Sequence, residues 1–336
     1  MKFSEKIYRD EDVSLEPLKG KTVAIIGYGS QARAQSLNIR DSGIKVIVGC
    51  GDRKFFPDWE RAEADGHTVM SIEDAVKQSD LVHVLLQDPA QPEAYKKHIH
   101  EHLKEGQTLS FCHGFAILYG TIQPPKNVDV TLYVPNGPGP VVRQKYLDGS
   151  GIYGCVCVEQ DYTGNALKTE LALAKAAGST RAGTIEMSFQ HETEGDNFEE
   201  QVLYGGTIHL MREVYQLMAD AGYPKSFAYA KAIRSIRSVI DDIDAVGIET
   251  YLSTHCSRTC EFAVRHSGPR VINREAIREV FNETEKGVFA RNWLVEFSHG
   301  MPTLHRMRRE RKDSDMEQTG KLWRETFAKE TDLGAK

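Results

Sequence analysis

Long apolar runs are absent from this sequence. No window reaches the roughly 18 uninterrupted apolar residues that a membrane-spanning helix requires, and Met1-Lys2-Phe3-Ser4-Glu5-Lys6 holds no apolar leader core. The protein is expected to be cytoplasmic unless a leader has been removed, with no membrane partner. An excess of basic charge is absent as well. Lys and Arg number 42 against 48 Asp and Glu, a net charge of -6, and no stretch carries enough unopposed positive charge to track a phosphate backbone. Nucleic acid is therefore not an expected partner. The densest basic run, Arg306 to Lys312, is interrupted by Glu310 and reads as a solvated helix face. Cysteine is sparse and unpatterned. Cys50, Cys112, Cys155, Cys157, Cys256 and Cys260 do not make the paired Cys-x-x-Cys units of a zinc site, and His255, Cys256 and Cys260 have no fourth ligand nearby.

The 336 residues present are enough for two domains. Up to about residue 188, short β-rich runs alternate with helical stretches. Thr22–Ile26, Lys45–Val48, Leu81–Leu86, Thr108–Phe111, Val128–Val134 and Gly154–Val158 read as strands, several of them apolar on both alternating faces. Ser71–Gln78 and Ala90–Leu103 read as amphipathic helices, the first capped by Ser71. This alternation predicts an α/β Rossmann domain over residues 1–188, with a parallel, doubly wound sheet. From Phe189 onward the apolar residues recur at helical spacing, as in Val202, Ile208, Met211, Val214, Tyr215 and Met218. Residues 189–336 are thus expected to form an all-helical domain, with stops at Gly222-Tyr223-Pro224, Gly247, Gly268-Pro269 and Gly300-Met301-Pro302.

Gly27-Tyr28-Gly29-Ser30-Gln31-Ala32 follows the first of these strands and opens a helix, the context in which a glycine fingerprint binds a dinucleotide. Gly27 permits the tight turn, Gly29 lets the backbone approach a pyrophosphate, and Ala32 is small enough for helix-to-strand packing. The pyrophosphate would rest on free amides at the helix N-terminus. The next strand ends at Gly49 with no acidic residue in place for the adenosine ribose. In the loop beyond it, Arg53 and Lys54 suit a 2′-phosphate, whereas Asp58 suits a ribose hydroxyl. NADH and NADPH are both compatible with that mixture.

Several motifs together resemble the ketol-acid reductoisomerases. They are Gly27-Tyr28-Gly29-Ser30-Gln31, Cys112-His113-Gly114-Phe115, Pro124-Pro125-Lys126, Asn136-Gly137-Pro138-Gly139, Thr180-Arg181-Ala182-Gly183, Glu192-Thr193-Glu194 and Gly268-Pro269-Arg270-Val271-Ile272, in the family's order along nearly the whole chain. The resemblance implies a knotted helical domain, a homodimer, and Gly139 beside the cofactor. It also implies a reaction in which an alkyl group migrates within a 2-hydroxy-2-acyl acid and the resulting 2-keto acid is reduced. In that family two magnesium ions are held by an Asp and a Glu from one helix and two Glu from the next. Asp196 and Glu200 match the first pair, one turn apart on one helix face. Taken alone, with Glu192, Glu194 and Glu199 around them, they read as a solvated acidic face.

The second pair is replaced. Lys231 and Ser235 stand at the two Glu positions, and no acidic residue occurs from Pro224 to Ile240. Asp241, Asp242, Asp244 and Glu249 lie one to three turns further on. Asn136 stands where the family has a lysine. Hard divalent ions need several oxygen ligands, so magnesium is doubtful and Asp196 and Glu200 are its only candidate ligands. His113 matches the family histidine at the nicotinamide end of the cleft, and Ser257 the serine that binds the substrate carboxylate. The expected function is NAD(P)H-dependent reduction of a small 2-keto or 2-imino acid without alkyl migration. His113, Asp196, Glu200, Lys231 and Ser257 are the candidate catalytic residues, and Lys231 is expected to pair with Asp196 or Glu200. The alternatives are an orthodox reductoisomerase, taking acetolactate to 2,3-dihydroxyisovalerate with an altered magnesium site, and an NAD(P)-binding pseudoenzyme.

Overall fold

The β-branched runs of the first half form strands β1 (Ile7–Tyr8), β2 (Thr22–Ile26), β3 (Lys45–Cys50), β4 (Thr68–Ser71), β5 (Leu81–Val84), β6 (Thr108–Phe111), β7 (Asp129–Pro135), β8 (Gly154–Gln160) and β9 (Thr184–Glu186). These come from a computed structural model that describes residues 3–53 and 57–327. The strands make one sheet in the order β1-β9-β8-β7-β6-β5-β2-β3-β4. From β4 to β7 all neighbours are parallel, and the order reverses at β2, as in a dinucleotide-binding sheet. The expected parallel, doubly wound sheet is present, with one refinement at its far edge. β8 pairs antiparallel with β7, and β1 pairs antiparallel with β9, so the sheet is mixed at that edge. Three strands were not anticipated. β1 and β9 are too short to show an alternation, and pairing identifies all three as strands.

Both faces of the sheet are covered, which is why its strands are apolar on both sides. Ala24, Ile26, Val82, Val84, Leu109 and Phe111 pack on one face with the helix Ile72–Gln78. Val23, Ile25, Leu81 and Tyr133 pack on the other with helices Ser30–Asp41 and Ala166–Ala177. Ser71 caps its helix as expected, its hydroxyl accepting from Asp74 N at 3.1 Å. The Ala90–Leu103 stretch is helical but changes pitch, with a π-helical turn at Tyr95–Ile99 between tighter ones.

The chain divides into two compact units, Met1–Gly195 and Asp196–Lys336. The division falls inside the helix Phe189–Phe198, because the early residues of that helix are buried by the first unit. Glu192 and Thr193 are the clearest case, at 8% and 0% exposure. Among the described residues, the second unit contains helices and no strand. Its core gathers Tyr215, Ala228, Tyr229 and Ala232 with Trp323, and the Tyr215 hydroxyl ties Asp315 and Thr319 at 2.6 and 2.9 Å. Gly247 ends its helix with φ of 85°, whereas Gly268 has φ of -53° and carries the chain into a further 3-10 turn.

Gly49 sets how closely Ile72–Gln78 approaches the sheet. A Cβ there would stand 2.8 Å from Ile26 Cδ1 and 3.0 Å from Ala75 Cβ. Gly49→Ala is expected to lower stability by about 1–3 kcal/mol through overpacking. Urea denaturation checks this, and an unchanged midpoint would mean the helix can yield.

Candidate functional site

β2 delivers the chain to Gly27, whose φ of 93° suits glycine and where a Cβ would stand 2.9 Å from Leu86 Cδ2. Gly29 is different. No side chain caps the helix that follows it, and a Cβ on Gly29 would meet nothing within 4 Å. The first amides of Ser30–Asp41 therefore face open space beside a residue with no side chain, the cradle a pyrophosphate needs. Gly29 and Ser30 are exposed, and Gln31 is half-buried. Gln31 Nε2 donates to the Gly137 carbonyl at 2.6 Å. Gly139 begins the helix Gly139–Leu147, and a Cβ on it would collide with the Ser30 carbonyl. The turn after β2 and the turn after β7 are thus held together by one hydrogen bond and one missing side chain.

Tyr28 turns inward. Its hydroxyl donates to Asp65 Oδ2 at 2.9 Å, and Asp65 also takes two bonds from Arg33 at 2.6 and 3.0 Å. Burial, and then the Asp65 hydrogen bond and charge, push the phenol well above its ordinary range. Only the Tyr28 backbone is left for a ligand.

After β3, Arg53 forms ion pairs with Glu60 at 3.2 Å and Glu63 at 2.8 Å and lies 5.8 Å from the Trp59 ring centroid. Its guanidinium is already neutralised by two carboxylates. Lys54 lies outside the described residues. Asp58 opens the helix Asp58–Ala64 and pairs with Arg61.

His113 follows β6 at the C-terminal edge of the sheet, where ligands bind in this architecture. Its Nδ1 lies 2.9 Å from Asp88 Oδ2, which fixes the ring's orientation. Beside it, Glu192 accepts from Gly114 N at 3.3 Å and from Thr193 Oγ1 at 3.1 Å. Glu192 is buried, so reading it as part of a solvated acidic face is corrected: the helix that carries it packs on the turn after β6. Asp88 was missed by sequence reasoning. Its signal was available, since it stands just beyond the C-terminal end of β5 in Gln87-Asp88-Pro89.

In the helical unit, Asp196 lies in the last turn of Phe189–Phe198 and Glu200 in the π-helical turn Glu199–Tyr204, both exposed. Burial, then the Glu199 hydrogen bond and charge, and the charges of Asp196 and Glu200 raise the Tyr204 phenol. Lys231 is exposed in a second π-helical turn, Ala230–Arg234, with Nζ 5.3 Å from the Phe227 ring centroid. The expected pairing of Lys231 with Asp196 or Glu200 is not formed, and the ammonium lies over that ring. Ser235 Oγ donates to the Ala230 carbonyl at 3.2 Å. Ser257 follows a third such turn, Tyr251–His255, and caps the next helix by accepting from Cys260 N at 3.2 Å. Wide turns of this kind are frequent at functional sites in helices. Glu249 is tied to Arg265 at 2.7 Å, and Asp242 lies 3.8 Å from His255. Among the described residues, no three His, Cys, Asp or Glu gather to hold a metal ion.

Comparison with known proteins agrees with this architecture. Residues 17–183 match the family model "Acetohydroxy acid isomeroreductase, NADPH-binding domain" and residues 189–329 match "Ketol-acid reductoisomerase, C-terminal domain". The chain is 44% identical over 320 residues to a ketol-acid reductoisomerase (NADP(+)) of Methanopyrus kandleri, covering 95% of this chain and 97% of the relative. It is 42% identical over 329 residues to a ketol-acid reductoisomerase (NAD(P)(+)) of Metallosphaera sedula, covering 97% of each. The solved structure of an NADH-preferring ketol-acid reductoisomerase from an uncultured archean superimposes with a TM-score of 0.92 at 37% identity, covering 96% of this chain and 99% of that one.

Because the space beside Gly29 is open, Gly29→Val should leave the thermal unfolding midpoint unchanged while removing binding of NADH and NADPH. Calorimetric titration checks this, and unchanged affinity would move the pyrophosphate away from this turn.

Proposed function

The chain belongs to the ketol-acid reductoisomerase family, and from that premise we propose that it reduces a small 2-keto or 2-imino acid with NADH or NADPH held on the turn after β2. The bound nicotinamide supplies the hydride. The protein supplies position and a proton. His113, oriented by Asp88 through Nδ1, is the candidate donor to the substrate oxygen or nitrogen that takes up charge. Ser257 is the candidate for the substrate carboxylate. The open cradle at Gly29, with its uncapped helix N-terminus, carries the cofactor half of this reading. Arg53, held by Glu60 and Glu63, is poorly placed to serve a 2′-phosphate, which favours NADH.

The observation that carries reduction without alkyl migration is the set Lys231, Ser235 and Asn136. An ammonium, a hydroxyl and an amide stand where the family places two metal-binding carboxylates and a lysine. Asp196 and Glu200 alone do not fit a two-magnesium centre, which needs several oxygen ligands. A second reading, the complete reductoisomerase reaction on acetolactate, is favoured by the relatives. They bear that name at 42–44% identity over nearly the full chain, and by themselves they support it better than they support reduction alone.

We also propose a homodimer formed through the helical unit. Leu203, Leu217, Phe262, Val271 and Leu322 are each more than half exposed there, apolar side chains that a second copy would cover. Sedimentation should give twice the chain mass, and a monomer at micromolar concentration would refute the interface.

Two measurements separate the functional readings. NAD(P)H oxidation with 2-keto acids, with and without ammonia, should persist in excess EDTA, and acetolactate should not be turned over. Lys231→Glu with Ser235→Glu should create magnesium binding detectable by calorimetry. Turnover of acetolactate that EDTA abolishes would return the lead to the complete reaction. Binding of cofactor with no turnover of any of these acids would point to a pseudoenzyme.

A further inference from the structure

A run of polar side chains crosses the buried sheet beneath the dinucleotide turn. His83, Ser110 and Thr131 are direct neighbours in β5, β6 and β7, on the face covered by Ser30–Asp41 and Ala166–Ala177. Those helices add Gln35 and Glu170, and all five side chains are wholly buried. Glu170 lies 2.6 Å from Ser110 Oγ and 2.7 Å from Thr131 Oγ1. Ser110 Oγ lies 2.8 Å from His83 Nδ1, and His83 Nε2 lies 3.0 Å from Gln35 Oε1. Gln35 Nε2 faces Gln31 Oε1 at 3.3 Å and Cys112 Sγ at 3.2 Å, and Gln31 Nε2 reaches the Gly137 carbonyl at 2.6 Å.

The last link sets the direction of all the others. A backbone carbonyl only accepts, so Gln31 must turn its amide nitrogen to Gly137 and its oxygen to Gln35. Gln35 then donates to Gln31 and turns its own oxygen to His83, so His83 Nε2 must carry hydrogen. A neutral His83 therefore accepts at Nδ1 from the single Ser110 hydroxyl hydrogen. With that hydrogen used, the short Ser110–Glu170 contact needs its hydrogen from Glu170. Glu170 is thus a carboxylic acid donating to Ser110 and accepting from Thr131. The charged alternative, a carboxylate and an imidazolium, would place two ions where no water reaches. Burial acts in the same sense on both groups, raising the Glu170 carboxyl to about 7 and lowering the His83 imidazole to about 3.

We propose that Glu170, Ser110 and His83 are positioning residues for the dinucleotide, an uncharged relay that aims Gln31 at the Gly137 carbonyl and holds the two turns of the cofactor cleft together. The inference rests on the dinucleotide reading of the turn after β2. Breaking one link leaves a buried donor or acceptor unmatched and frees the Gln31 amide to rotate. A structural filler of the same shape would not depend on which atoms donate.

The test uses the full chain with NADH and NADPH as probes. Ser110→Ala, His83→Met and Glu170→Ala should each weaken calorimetric affinity about tenfold or more, while Glu170→Gln, whose amide also donates to Ser110 and accepts from Thr131, should stay within about threefold of wild type. Circular dichroism confirms folding, and Glu170→Gln and Ser110→Ala keep the comparison available if Glu170→Ala does not fold. In wild type at neutral pH, the 15N shifts of His83 should report the Nε2–H tautomer. The proposal is overturned if His83 is an imidazolium or the Nδ1–H tautomer, if Glu170→Gln is as damaging as Glu170→Ala, or if folded Ser110→Ala and His83→Met bind normally. Wild type that binds neither dinucleotide would refute the cofactor reading instead, and the tautomer would still decide the relay.

Discussion

Two helix N-termini meet where Gly139 lies against the Ser30 carbonyl, and the geometry of the cofactor cleft follows from that approach. No residue with a Cβ fits at 139 without parting the helices. The Gln31–Gly137 hydrogen bond closes the same gap from the side-chain direction. Gly29, a few residues away, is under no internal constraint at all. The contrast separates two kinds of glycine in one motif: some are small because the protein needs the space, and one leaves space that the protein does not fill.

The same region shows how polar groups can sit inside a sheet covered on both faces. A buried hydroxyl, imidazole or carboxyl is unfavourable unless it is matched, and each match constrains the next. The chain from Glu170 to Gln31 has no freedom in its donor order once it ends on a backbone carbonyl. Such a network specifies one arrangement of its side chains, where an apolar filling of the same volume would tolerate several.

In the helical unit the charges of Glu199, Asp196 and Glu200 act on Tyr204, and Lys231 lies over Phe227. On the proposed reading, Lys231 and Ser235 stand where the family places the partners of the Asp196/Glu200 pair, a substitution that bears on chemistry rather than on fold. On an exposed helix face Lys is as good a helix former as Glu and Ser only slightly worse, so the architecture tolerates the change.

Periodicity and the glycine turn were enough, in the sequence alone, to determine a nucleotide-binding α/β half followed by a helical half, because burial on both faces of a strand and on one face of a helix writes itself into residue spacing. The motif from Gly27 to Ala32 was legible for the same reason: backbone geometry demands small residues at fixed intervals. The mixed edge of the sheet was not legible, since strand direction depends on where the chain returns and not on its alternation. Nor were Glu192 beneath Gly114 or His83 joined to Glu170. These residues are far apart in sequence, and in the spacing pattern a polar residue inside an apolar strand looks like noise. Only the tertiary structure, by laying β5, β6 and β7 side by side under two helices, turned those isolated polar residues into one connected set, because hydrogen bonding is decided by distance in space.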